Sequence, residues 1–202
     1  MNPKYLPMNV MDTKISSYTR NKETILLFEE ALASREWALG PYHPDTLAAR
    51  HHLAHAYRAA GLFEEAIGLF RENLAAWEQV MGPAHVLTLN SRSSLANCYY
   101  AAGRYEEAIL LFEETLKGRE RALGPDHPDT LRSRGSLANS YCAVGRYQEA
   151  IKLHRETLAA RERVLGPDDS STLASRQNLA AACRAAGADS GAARYGTPPR
   201  EP

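Results

Sequence analysis

The run HHLAH at residues 51–55 is the densest group of metal-capable side chains in the chain. His51 and His55 lie four apart, so on a helix their imidazoles share a face and could hold one ion between them. Only two ligands are evident there, fewer than a zinc site takes, so a polar helix surface is expected and no metal. His43, His85 and His127 recur at a fixed interval, each in the loop context Gly-Pro-x-His. A catalytic or sensing group has little reason to be copied in phase, whereas a structural hydrogen bond has every reason. The cysteines, Cys98, Cys142 and Cys183, are odd in number and lack CxxC spacing. They read as small thiols on helices in a reducing cytoplasm, not as a disulfide framework or a zinc cluster. The chain contains no GxSxG, Walker A, GxGxxG or HExxH sequence and no acidic calcium loop. The expectation is therefore a non-enzymatic protein without a cofactor.

The elements that carry these residues follow from one interval. Gly-Pro pairs stand at 40–41, 82–83, 124–125 and 166–167, always 42 residues apart. A period in this range is the mark of stacked repeats, in which each unit leans on its neighbours. Composition agrees with a protein of that kind. Acidic and basic side chains balance at 24 each, so the broad positive field of a nucleic-acid binder is missing. No apolar run reaches the length of a membrane-spanning helix, about 18 residues or more. The opening MNPKYLPMNVMDTK has no signal-peptide core. Neither a nucleic acid nor a membrane is expected as a partner.

Within each repeat the apolar spacing switches between two amphipathic helices. The first helix is expected at about 45–60, 87–102 and 129–144, after Pro44 and Pro128 and with Asp45 and Asp129 against the positive end of its dipole. It carries Leu53-Ala54 and Tyr57, Leu95-Ala96 and Tyr99, Leu137-Ala138 and Tyr141, and closes at Gly61, Gly103 and Gly145. The second helix opens on Glu64-Glu65, Glu106-Glu107 and Gln148-Glu149 and stops at Gly82, Gly124 and Gly166. The chain thus divides into a leader at 1–23, an array at 24–187 and a tail at 188–202. The array comprises a lone second helix at 24–39, full repeats at 40–81, 82–123 and 124–165, and a partial repeat at 166–187. The leader is compatible with disorder or with a degenerate capping helix over about 8–18. The tail, with Gly191 and two prolines, reads as disordered. Both ends lack a full polar cap, so fraying or end-to-end self-association is expected there.

The signature L-A-x-x-Y-x-x-x-G-x-[YF]-x-E-A-I-x-L resembles the tetratricopeptide repeat. The 42-residue length and the loop G-P-x-H-P-x-T-L are similar to the kinesin-light-chain type of that family. Arg50, Arg92, Arg134 and Arg176 stand where the shorter repeat has tryptophan. Their strict recurrence favours a ladder of contacts between adjacent repeats over a cationic stripe for ligands. The resemblance implies an all-α, right-handed α-solenoid of antiparallel helix pairs, with first helices lining a concave groove for a peptide or partner segment.

The same resemblance places groove positions on the first helices at sites that share one face. They are Ala48, His51, His55 and Arg58; then Asn90, Ser93, Asn97 and Tyr100; then Arg132, Gly135, Asn139 and Cys142; then Ala174, Gln177, Ala181 and Arg184. Asn97 and Asn139 each offer a donor and an acceptor to a peptide backbone. Arg58, Arg132 and Arg184 favour carboxylates, and the histidines are a further source of positive charge. The expected function is a protein-interaction scaffold for an extended, acidic partner segment. An alternative that rests on resemblance alone is a regulatory or sensor fragment of a larger signalling protein, such as a nucleotide-binding switch ATPase.

Overall fold

A computed structural model describes the backbone of residues 10–195 and the side chains of residues 21–187. Among the described residues there are eight α-helices and no strand. The chain falls into two compact units that divide between Pro83 and Ala84. The first holds α1 (Val10–Leu39), α2 (Pro44–Ala59) and α3 (Phe63–Met81). The second holds α4 (Val86–Ala101), α5 (Tyr105–Leu123), α6 (Pro128–Ala143), α7 (Tyr147–Leu165) and α8 (Ser170–Tyr195). In each unit, consecutive helices pack on one another.

The recurring histidines start the first helices. Each is the N-cap residue, and its Nδ1 accepts the backbone N–H two residues on, at 3.2 Å, from Asp45, Leu87 and Asp129 respectively. This satisfies one of the donors that a helix N-terminus leaves open. At the fourth loop Asp169 takes the same place and its Oδ1 accepts from the Ser171 N–H at 2.8 Å. The turn between paired helices is closed by Gly61, Gly103 and Gly145, with φ between 76° and 80°. Only glycine enters that region without a Cβ penalty. Beyond each glycine the chain bonds back across the helix end, with the N–H of Leu62, Arg104 and Arg146 donating to the carbonyl of Tyr57, Tyr99 and Tyr141.

Leucine and alanine of the first helices then fill the core. Leu47, Leu89 and Leu131 are at most 1% exposed, and Ala54, Ala96 and Ala138 are fully buried. Burying one such leucine contributes roughly 1.5–3 kcal/mol. In the first unit Leu47 packs with Ala76 and Trp77 of α3, and Leu53 packs with Leu32 of α1 and Leu69 of α3. In the second unit Leu89 sits so close to Gly118 that a Cβ there would come within 2.5 Å of it.

Within the units, polar staples join a second helix to the first helix that follows it. Arg50 pairs with Glu36 at 2.6 Å, and Arg134 with Glu120 and Arg176 with Glu162 at 2.8 Å. Arg50, Arg134 and Arg176 therefore serve inter-repeat contacts, whereas Arg92 lies 3.7 Å from Glu114 of its own repeat. The Tyr57 hydroxyl donates to Glu29, and that of Tyr141 to Glu113 at 2.6 Å.

At the two ends the helices run beyond the expected array of 24–187. Of the leader, residues 1–9 lie outside the described residues, and from Val10 the chain is helical without a break into the expected 24–39 helix. At the other end α8 continues through Gly187, where a stop is expected, to Tyr195. Of the expected disordered tail only 196–202 lie outside the described backbone. A glycine costs a helix about 1 kcal/mol and does not by itself end it. Gly61, Gly103 and Gly145 turn the chain because a second helix docks behind them, and no docked second helix follows Gly187 among the described residues.

The cap can be tested by exchange. His127→Ala should lower stability by about 1 kcal/mol, and His127→Asp should keep most of it, as Asp169 does naturally. Urea unfolding at neutral pH measures both.

Candidate functional site

In the second unit, Asn97, Tyr100, Asn139, Cys142 and Ala181 of the expected groove positions line two recesses that share Tyr100 and Asn139. Asn97 and Tyr100 of α4, Phe112 of α5, and Ser136 and Asn139 of α6 line a recess of about 80 Å³. A larger recess of about 340 Å³ continues from Tyr100 and Asn139 past Cys142, Tyr147 and His154 to Asn178 and Ala181 of α8. Asn97 and Asn139 are both exposed and face away from the packed interior. The Asn97 Nδ2 donates to the Ser93 carbonyl at 2.7 Å. Tyr100, 37% exposed, meets the Tyr105 ring edge-on at 5.3 Å between centroids. Burial raises the pKa of its hydroxyl, and the neighbouring Tyr105 and Cys142 push the same way.

Asn90 is committed to the scaffold, and Arg132 is paired along its own helix. The Asn90 Oδ1 accepts from Arg119 Nη2 at 2.6 Å, and Arg119 also donates to Ser133 Oγ at 2.6 Å and to the Asp129 carbonyl at 3.2 Å. Arg119 is only 2% exposed, and no carboxylate pairs with it at ion-pair distance among the described residues. Arg132 is exposed and paired with Asp129, and it lies near enough to act on both Arg119 and Arg161. Gln177 and Arg184 lie exposed on α8 but line neither recess.

In the first unit, His51, His55 and Arg58 form their own cluster on α2. The two Nε2 atoms are 3.0 Å apart, and both rings stand edge-on to Phe70 at 5.5 and 5.1 Å. Arg58 Nη2 lies 3.4 Å from the His55 Nδ1. Burial, then His55 and His52, lowers the pKa of His51 to about 4. Burial, then Arg58 and His52, lowers that of His55. The histidines are therefore not the source of positive charge at neutral pH that the sequence suggests, because half-burial against Phe70 beside a guanidinium disfavours the proton. Among the described residues, no group of three or more His, Cys, Asp or Glu side chains is placed to hold a metal.

The profile of the tetratricopeptide repeat family matches residues 20–72, 47–121 and 133–197. The chain belongs to the tetratricopeptide repeat family. No curated protein matches it. Among solved structures it is similar to nearly identical TPR-like repeats from Podosopora anserina, assigned there to a kinesin light chain. A single-substitution form of those repeats shares 32% identity over 90% of this chain and 86% of that one, with a TM-score of 0.77. A second structure of the repeats has the same identity and coverage and a TM-score of 0.75. BtubC (BKLC) from P. vanneervenii, at 21% identity over 94% of this chain and 79% of that one, shares the fold with a TM-score of 0.71. The repeats are of the kinesin-light-chain-like type, and the fold is an all-α TPR-like solenoid.

Within this tetratricopeptide array, His154 is a recess residue that the sequence reading passes over. It occupies the slot of Phe28, Phe70 and Phe112 in the other second helices and is 2% exposed at the recess wall. The in-phase exchange of phenylalanine for histidine is the signal that could have found it. Tyr147 and Asn178 join it there. Neither carries a comparable signal, since reaching the recess depends on how α7 and α8 pack.

The histidine cluster makes a pH prediction. His51 titrates near 6.5 when unfolded and near 4 when folded, so the unfolded chain takes up the proton first. The stability is fully present above about pH 6.5 and is lost as pH falls towards 4. His55 acts with the same sign. Thermal unfolding at pH 7, 5.5 and 4.5 should show a smaller acid-induced drop in Tm for His51→Gln plus His55→Gln than for the parent.

Proposed function

We propose that this chain is a non-enzymatic protein-interaction scaffold that holds an extended, acidic segment of a partner protein along the exposed face of its first helices. The observation that carries this reading is the recess of the second unit, where Asn97, Tyr100 and Asn139 from two first helices surround one space. The slot of Asn97 and Asn139 is His55 in the first full repeat and Ala181 in the last, and that of Tyr100 is Arg58, Cys142 and Arg184 in the others. Family membership supports protein binding in general terms.

The available groups suit a peptide main chain. Asn97 spends one amide hydrogen on its own helix and keeps its oxygen for a partner N–H. Asn139 is exposed beside it and carries both functions. Positive charge on the same helix faces favours carboxylates. Arg132 supplies exposed positive charge on α6, partly offset by Asp129, with Arg119 and Arg161 of the second helices close behind it. Arg58 supplies the cation in the first unit, beside neutral His51 and His55. Gln177 and Arg184 extend the contact surface on α8. The balanced net charge argues against a nucleic acid as partner. No helix among the described residues is long and apolar enough to cross a membrane. Three free thiols suit a reducing cytoplasm.

A displayed random-peptide library selected on the intact chain tests the proposal. Enriched peptides should carry Asp and Glu, and their binding should weaken as salt rises. Asn97→Ala plus Asn139→Ala should cost about 10- to 100-fold in affinity, since each amide contributes on the order of 1 kcal/mol. Selected peptides that bind the double variant as tightly as the parent would show that the groove lies elsewhere.

A further inference from the structure

We infer that copies of this chain join head to tail, α8 of one copy supplying the first helix and α1 of the next copy the second helix of one composite repeat. The inference is independent of what the groove binds. It starts from the kind of helix at each end. In phase with the internal repeats, α1 is a second helix and α8 is a first helix. Among the described residues α1 packs on α2, and α8 packs on α7 and α6, so neither has the partner that would complete its own repeat.

Exposure marks the missing partner at each end. Leu173 of α8 is 42% exposed, although its counterparts Leu47, Leu89 and Leu131 are at most 1% exposed. Ala180 is exposed where Ala54, Ala96 and Ala138 are fully buried. On α1, Leu27 is 66% exposed, whereas its counterparts Leu69, Leu111 and Leu153 are half-buried. The slot of Ala76, Gly118 and Ala160 is held on α1 by Ser34, also a small residue. Ser34 is exposed, whereas Ala76 and Ala160 are buried.

These residues are the two halves of a contact already present inside the chain. Leu47 shares a buried cluster with Ala76, and Leu69 packs against the cluster that holds Leu53, within one repeat. Leu89 lies against Gly118 in the next, so the slot admits a leucine because its own residue is small. Advancing the first-helix members by three periods gives Leu173 and Leu179, and moving the second-helix members back by one period gives Ser34 and Leu27. Leu173 of one copy therefore meets Ser34 of the next, and Leu179 meets Leu27, in the packing the internal repeats use.

The helix lengths fit the same pairing. Internal first helices have 16 residues and α8 has 26; internal second helices have 19 and α1 has 30. The start of α8 at Ser170 and the end of α1 at Leu39 stay in phase with the internal helices, so each excess lies wholly at the opposite end. In an antiparallel pair those two overhangs fall side by side, at the end where an internal repeat makes its glycine turn. Two separate chains need no turn there, and both helices run on by nearly equal lengths. Such a contact is heterologous and repeats from copy to copy.

Analytical ultracentrifugation of the 202-residue chain from micromolar to near-millimolar concentration tests the inference. The parent should rise with concentration from 22.3 kDa through successive multiples of that mass. Leu27→Lys blocks one end and Leu173→Lys the other, both at exposed sites where helical circular dichroism should match the parent. Each variant alone should stay monomeric, and an equimolar mixture should form a dimer and nothing larger. A parent that stays at one chain mass throughout, a single variant that still dimerises, or a mixture that stays monomeric would overturn the inference.

Discussion

Inside each unit an internal helix has to serve two neighbours, its repeat partner and a helix of the adjacent repeat. A helix pair of about 35 residues cannot bury both of its apolar faces, so the neighbouring repeat supplies what is missing. Leu53 shows the constraint, since its cluster joins Leu32 of the helix before and is packed on by Leu69 of its own repeat. The polar links follow the same geometry. Arg134 to Glu120 and Tyr141 to Glu113 both run from a first helix to the preceding second helix. These partly buried contacts act more on register than on net stability, since desolvating charged groups offsets much of what pairing them returns.

Because the packing positions are fixed by that double duty, variation is left to the more open face of the first helices. There the side chains are free to differ, and they do: His51 and His55 in one repeat, Asn97 and Tyr100 in the next, Asn139 and Cys142 in the third. The chemistry of this face is hydrogen bonding and charge on a packed helical support, which suits recognition of an extended chain. Its electrostatics are set by burial as much as by composition. Arg119 is an arginine sunk into the array and held by Asn90 and Ser133, while the histidines of α2 stay neutral against Phe70.

Much of this was legible in the residues alone. The constant spacing of Gly-Pro pairs located the internal helices to within about a residue, because proline starts and glycine turns act largely locally. The loop histidines were readable as structural for the same reason, and the inter-repeat role of Arg50, Arg134 and Arg176 from their strict recurrence. The neutral histidine pair was not, since its pKa depends on a phenylalanine from the next helix. The recess wall at Tyr147 and Asn178 was not readable either, because the recess is assembled from four helices at once, although the exchange of phenylalanine for histidine at His154 carried a signal.

Sequence by itself determined the period, the helix pairing and which positions face inward, since those follow from short-range spacing and turn chemistry repeated many times over. The tertiary structure alone decided which variable side chains share a recess, which arginine is buried, and how far the end helices run. The reason is physical: a helix ends where a neighbour makes turning worthwhile, and a side chain's charge and reach are set by atoms brought beside it from elsewhere in the chain. At Gly145 a docked second helix completes the turn, whereas at Gly187 no such helix follows among the described residues and α8 continues to Tyr195.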